Sequence, residues 1–453
     1  MDNVGPIRAL FGMTMAVHIL FATLGVGLPL MIALAEIVAL RRGEPLYRVM
    51  ARRWAAVFSV FLATGVVTGT IVAVLLQLLW PAFMRLAGQI IILPFAIEVF
   101  AFFVEAVFTV IYLHAGDRIA PRLRILSALL VAVAAAASAL LITDANAFMN
   151  TPTGFRISGG RLTDIQPWKA MVSPAMPSEL AHVLVTAYLA VSLVLGAFAA
   201  IGLLRGAGTT PQERAYHQRE FRLSMVVTSI AAVLTAITGD WAGKFMAKEQ
   251  PRKFAAAEGL FRTSQPAAEN VGGIPDAATG AVRGGVNIPH LLSWLATGRL
   301  NGRVVGLDAY PRAYWPPVAF VHPLFDLMVG VGTLALLLPA LYWLVRLRRP
   351  GQETPRWLLR FSVLMGPVAM VGIEAGWIFA ELARQPWTVV GILTTAEAAT
   401  TNPMARSLFV PFAVLYAVLI VGAALAVRTH RARHPLGRDL LSGIPAEGTT
   451  QSA

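Results

Sequence analysis

The chain has 453 residues, of which 57% are hydrophobic and 13% charged, with a formal net charge of +13. A soluble globular chain carries roughly 25% charged residues, so a soluble enzyme and a disordered protein are excluded and a polytopic membrane protein is indicated. Cysteine is absent, which excludes disulfides, iron–sulfur clusters, thiolate metal sites and cysteine nucleophiles.

Nine apolar stretches are long enough to cross a bilayer, at 11–40, 54–79, 90–113, 126–143, 180–204, 223–243, 318–345, 359–383 and 408–427. The first is too long for a signal-peptide core and no small-residue cleavage site follows it, so it reads as a retained helix. The sixth is the weakest, because Thr235, Thr238 and Asp240 make its end polar. The fold class is all-α.

Loop charge sets the orientation. The connections after spans 1, 3, 5 and 7, together with the C-terminal tail, hold 21 of the 37 Lys and Arg; the opposite side holds 7, and residues 244–316 hold 9. Long loops translocate largely regardless of charge. The N-terminus and the long loop are therefore expected outside and the C-terminus in the cytoplasm. The positive charge is a topology signal and not a nucleic-acid footprint. The chain divides into helices 1–6 (1–243), an external loop (244–316), helices 7–9 (317–432) and a disordered cytoplasmic tail (433–453). The loop is rich in Gly, Pro and Ala around Gly272–Gly285 and is expected to be mobile there. No repeat and no Walker A, Rossmann or HExxH pattern is present.

His18, Glu36, Glu98, Glu105, His182, Asp326, Glu374 and Glu381 fall inside the predicted spans. An acid at the centre of a membrane helix costs roughly 2.5–3.5 kcal/mol on insertion scales, and such groups are functional by default. Glu98/Glu105 and Glu374/Glu381 are each seven residues apart, almost two helical turns, which places each pair on one face about 10 Å apart. That spacing suits a polar track through a bundle better than a single metal site; hydrogen-bonded core carboxyls are the bland alternative. His18 and His182 read as the two histidines embedded in long helices. Histidine at that depth is a proton relay, a hydrogen-bonded core residue or a metal ligand. Without cysteine, the metal candidate is haem iron held axially by His, Met or carboxylate.

Three strings carry a resemblance. Span 8 reads GIEAGWIFAELARQPW, span 3 reads AIEVFAFFVEAVF followed by GDR, and the long loop opens GDWAGKFMAKEQPRKFAAAEGLF. Over nearly its whole length the chain resembles subunit I of the cytochrome bd-type quinol oxidases, as a divergent member of the cyanide-insensitive type. The nine-helix, N-outside topology of that family agrees with the loop count.

The resemblance implies a haem-containing catalytic subunit of a terminal oxidase in the bacterial inner membrane. Such a subunit oxidises quinol at the external face and reduces oxygen to water with cytoplasmic protons, generating a membrane potential without pumping. It implies that His182 and Met328 ligate a low-spin haem b. It implies that His18 and Glu374, with Trp377 nearby, serve two high-spin haems, one haem b and the other haem d or a third haem b. Glu98 and Glu105 match acids on a proton route, Lys253 and Glu258 the quinol-oxidation pair, and Arg384 the arginine of RQPW. Met149 and Pro152, in NAFMNTP, follow the end of span 4. A homologous membrane subunit II and a small single-helix subunit are the implied partners.

Three departures stand out. Asp326 lies two residues before Met328, where the family has an arginine that stabilises the reduced low-spin haem. LLQLLWP keeps Gln77 and Trp80 of FQFGxNW but loses its asparagine, and Ala383 replaces the glycine of GRQPW. A degenerate subunit that shuttles electrons or senses oxygen is the second reading. A proton-coupled transporter using the buried acids is the third, although it leaves both histidines and the loop motif unexplained.

Overall fold

A computed structural model describes residues 4–115, 118–159, 161–206 and 210–443. In hydrocarbon every backbone N–H and C=O must be satisfied within its own segment, so long apolar runs become helices. The chain forms α1 (Val4–Arg42), α2 (Pro45–Leu79), a short α3 (Pro81–Ile90), α4 (Ile92–Ala115) and α5 (Pro121–Asn150). After a small hairpin of β1 (Arg156–Ser158) and β2 (Arg161–Thr163) come α6 (Pro167–Met171), α7 (Met176–Arg205), α8 (Pro211–Glu249) and α9 (Pro251–Ala257).

The long connection then folds β3 (Glu269–Val271), β4 (Ile274–Asp276), β5 (Ala281–Arg283), β6 (Val286–Ile288) and α10 (Leu291–Thr297). The bundle resumes with α11 (Val318–Arg348) and α12 (Arg356–Arg384). Next come β7 (Trp387–Val389), β8 (Leu393–Thr394), α13 (Thr395–Ala398), α14 (Phe409–Arg433) and α15 (Leu436–Gly443). Among the described residues, nine helices have the length and apolarity to cross a membrane.

Local chemistry sets several boundaries. Proline opens α2, α3, α5, α8 and α9. There its missing N–H costs no intrahelical bond and its fixed φ suits the helix. A capping box starts α8: Glu213 N–H donates to Thr210 Oγ1 at 3.2 Å, and Thr210 N–H donates to Glu213 Oε2 at 2.9 Å.

α1 and α7 form the middle of the bundle, with 56% and 61% of their most apolar stretch buried, against 11% for α2. α1 packs on α2, α5 and α7, while α7 packs on α8 and α12. α11 also packs on α8 and α12, so α7 and α11 face one another across a four-helix group.

The structure departs from the sequence reading in the extent of its helices and in two segments expected to lack order. α8 runs from Pro211 to Glu249, well beyond the expected 223–243, because its cap starts it early and Thr238 satisfies its own hydroxyl on Leu234 O at 2.8 Å. The Gly-rich segment expected to be mobile is paired. β3 and β6 form an outer antiparallel ladder around the β4–β5 hairpin. Gly273 makes the nesting sterically feasible, with φ +92° and a backbone nitrogen 2.7 Å from where a Cβ would stand. The tail expected to be disordered from 433 instead forms α15, whose Leu440 is buried in the core cluster shared with Tyr47 and Trp54. Residues 444–453 lie outside the described residues, as do Gly116 and Asp117 of the GDR string.

Candidate functional site

His18, on α1, sets its Nδ1 3.0 Å from Thr68 Oγ1 on α2. His182, on α7, sets its Nδ1 3.1 Å from Thr238 Oγ1 on α8. Met328 is on α11, with its Sδ 3.1 Å from where a Cβ on Gly376 of α12 would stand. Glu374 lies on α12, one turn before Trp377, and both its carboxylate oxygens are buried without a hydrogen-bond partner. An orphaned buried carboxylate calls for an explanation, and a bound cation supplies one. Among the described residues no group of three or more His, Asp or Glu side chains is placed to hold a metal ion by itself. The donors stand on separate helices, an arrangement suited to axial ligation of haem iron.

The acids of α4 differ in surroundings. Glu98 accepts a hydrogen bond from Ser138 Oγ on α5 at 2.8 Å, and Glu105 is buried. Glu381, expected to share a buried track with Glu374, has a half-exposed side chain and pairs with Arg384. Glu36 is fully buried and takes a structural part, accepting from Arg124 Nε at 2.9 Å and from Tyr112 OH at 2.8 Å.

Lys253 and Glu258 are the pair that the resemblance associates with quinol oxidation. They stand toward the two ends of the helix α9, and those ends serve two clusters. Lys253, buried within α9, donates to Asn150 Oδ1 at 3.2 Å and lies 5.8 Å from the Phe379 ring centroid. Burial pushes its pKa down, and the charge of Glu179 opposes that shift. Arg384 joins this cluster by donating to Asn146 Oδ1 at 2.8 Å and to Glu381. Gln385 Nε2 donates to Glu381 Oε1 at 2.9 Å.

Glu258 caps the other end of α9 and is 4% exposed. Burial raises its pKa well above the ordinary carboxylate value, and the neighbouring Glu269 carboxylate raises it further. Near this pair, Asp326 accepts the Gly272 N–H at 2.6 Å and lies 3.4 Å from His322 Nε2. His322 is fully buried, its Nδ1 2.7 Å from Ala257 O. It is a further histidine within a long helix, missed because it stands at the very start of its span. Glu269, Glu179, Asn146 and Asn150 were also missed, since only the folded loop brings them to the cluster. Asn150 ends α5, just before Pro152 of NAFMNTP, and Met149 O accepts from Val390 N at 3.0 Å.

Imidazole, thioether and carboxylate side chains dispersed over membrane-length helices suit a polytopic membrane haem protein. The family model for cytochrome bd terminal oxidase subunit I matches residues 7–435. The chain is 41% identical over 442 residues to a putative cytochrome bd menaquinol oxidase subunit I of Bacillus subtilis (strain 168), covering 97% of this chain and 99% of that one. It is 32% identical over 440 residues to the cytochrome bd ubiquinol oxidase subunit 1 of the same organism, covering 94% and 92%. The solved bd oxidase from Geobacillus thermodenitrificans matches with a TM-score of 0.90 at 42% identity, over 96% of this chain and 99% of that one. The chain belongs to the cytochrome bd terminal oxidase subunit I family and is a quinol:oxygen oxidoreductase subunit.

Proposed function

We propose that this chain is the haem-carrying catalytic subunit of a respiratory oxidase of a bacterial cytoplasmic membrane. It works beside a homologous second membrane subunit, with a small single-helix subunit in the same assembly. His182 and Met328 would hold a low-spin haem b, and His18 and Glu374 the high-spin haems, one of them haem d or a third haem b. When bound, the haems supply electron transfer from quinol and the reduction of oxygen to water.

The side chains handle protons. Oxidation of a quinol releases two protons and two electrons at the outer face, where the loop of residues 250–317 is proposed to lie. Glu258 takes up a proton only after passing its own to Glu269 or to water, because burial keeps it protonated. Lys253, at the other end of α9, orients a quinol oxygen. Glu98 and Glu105 carry protons inward from the cytoplasm toward the oxygen site. Release outside and uptake from inside separate charge without a pump.

The orphaned carboxylate of Glu374 carries this reading. An unpaired buried polar group costs about 1–3 kcal/mol, and iron beside it would offset that cost. The test is a reduced-minus-oxidised spectrum of the purified complex with and without carbon monoxide. Low-spin and carbon-monoxide-reactive bands together support an oxidase. Haem that ignores carbon monoxide marks an electron shuttle, and absence of haem bands marks a transporter.

A further inference from the structure

The dipeptide Thr–Gly occurs opposite both histidines of the proposed ligand set, His18 and His182. Thr68–Gly69 of α2 meets His18, and Thr238–Gly239 of α8 meets His182. Each threonine spends its proton on its own helix: Thr68 Oγ1 donates to Thr64 O at 3.0 Å, and Thr238 Oγ1 donates to Leu234 O at 2.8 Å. Back-bonding of this kind is common in membrane helices and means little alone. Thr64, Thr70, Thr143 and Thr186 do the same without meeting an imidazole. At Thr68 and Thr238 the oxygen keeps only lone pairs for the histidine, so His18 Nδ1 and His182 Nδ1 are the donors. A neutral imidazole has one N–H, which leaves Nε2 of each histidine with a free lone pair. The tautomer is assigned here from the hydrogen-bond network.

Glycine eases the approach at His18, while at His182 an added Cβ would meet the ring only at ordinary contact distance. A Cβ on Gly69 would stand 3.2 Å from His18 Cε1, and one on Gly239 would stand 3.4 Å from His182 Cε1. The imidazole edge therefore lies close against bare backbone, within reach of the hydroxyl one residue earlier.

We infer that Thr68–Gly69 and Thr238–Gly239 are two matched histidine seats, whose threonines are positioning residues that commit Nε2 of each imidazole to iron and raise its basicity. The inference rests on the haem-ligand reading above. A partner on the far nitrogen fixes tautomer and ring orientation, and its loss costs roughly ten- to a hundred-fold in metal affinity or activity. A more basic imidazole favours the oxidised iron, so removing the hydroxyl shifts the midpoint potential upward.

The test uses the purified holo-complex with Thr68→Val, Thr238→Val and the matching serine variants. It reads haem content, spectroelectrochemical potentials and the iron–imidazole stretch in resonance Raman. Thr238→Val is expected to raise the potential of the low-spin haem and leave the high-spin haems unchanged. Thr68→Val is expected to lower the iron–imidazole frequency of a high-spin haem and leave the low-spin potential unchanged. Each serine variant should restore the wild-type value. Valine variants with wild-type potentials, frequencies and haem content would overturn the inference. If a valine variant loses its haem or fails to accumulate, the serine variant decides: wild-type behaviour supports the seat, and a changed signature contradicts it. A wild-type complex without haem would instead sink the ligand reading itself.

Discussion

Asp326 Oδ2 accepts the backbone N–H of Gly272 at 2.6 Å, tying the helix that carries Met328 to the turn of the nested hairpin. An acid on this helix thereby anchors a loop. A hydrogen bond to a charged group contributes about 1.5–3 kcal/mol. Asp326→Ala should loosen Glu269–Ile288, raising protease cleavage there and raising KM for quinol more than it lowers kcat. Unchanged cleavage and KM would mean that the hairpin holds without this bond.

Glu258 gives a pH signature. Its folded pKa is raised by burial and by Glu269, so the folded protein binds a proton that the unfolded chain releases near the ordinary value of 4.5. Stability contributed by the neutral form is complete below that value and falls as pH rises toward the raised pKa. Glu258→Gln should flatten this decline in thermal melts and slow quinol oxidation while sparing haem content. A variant that declines with pH like the wild type would assign the titration to another group.

Arg124 and Glu36 form an ion pair whose side chains are 9% and 0% exposed. Removing one member of a buried pair typically costs about 3–5 kcal/mol. Arg124→Leu should lower the melting temperature and the yield, yet keep turnover per haem within about twofold. Loss of turnover at full stability would give this pair a part in proton entry.

Glu105→Gln should keep full haem content and slow oxygen consumption, because it removes a buried proton carrier and no iron ligand. Measured together, haem content and oxygen uptake separate this residue from His18 and Glu374. A loss of haem in this variant would place Glu105 in the ligand set instead.

The spans were legible because a membrane helix announces itself by an apolar run of sufficient length, and Val4–Arg42 and Val318–Arg348 needed nothing more. That His18, His182 and Glu374 lie inside long helices was legible because an ionisable group is conspicuous in such a run. The loop was less so: glycines that signal mobility in isolation also permit the left-handed turns of Gly272 and Gly273. The separation of Lys253 from Glu258 was half visible, since five residues of helix turn the two away from each other. Their separate partners are Glu179, from the distant helix α7, and Glu269, from the loop strand that follows α9. Thr68 and Thr238 read as ordinary small polar residues until the fold set each against a histidine.

The central claim is that Glu374 serves iron at the oxygen site. The most direct measurement is haem content and oxygen uptake of Glu374→Ala in the purified complex, alongside its reduced-minus-oxidised spectrum. The account predicts loss of a high-spin haem and of oxygen consumption, with the His182/Met328 haem still reducible by quinol. Full haem stoichiometry with normal oxygen uptake in that variant would contradict it.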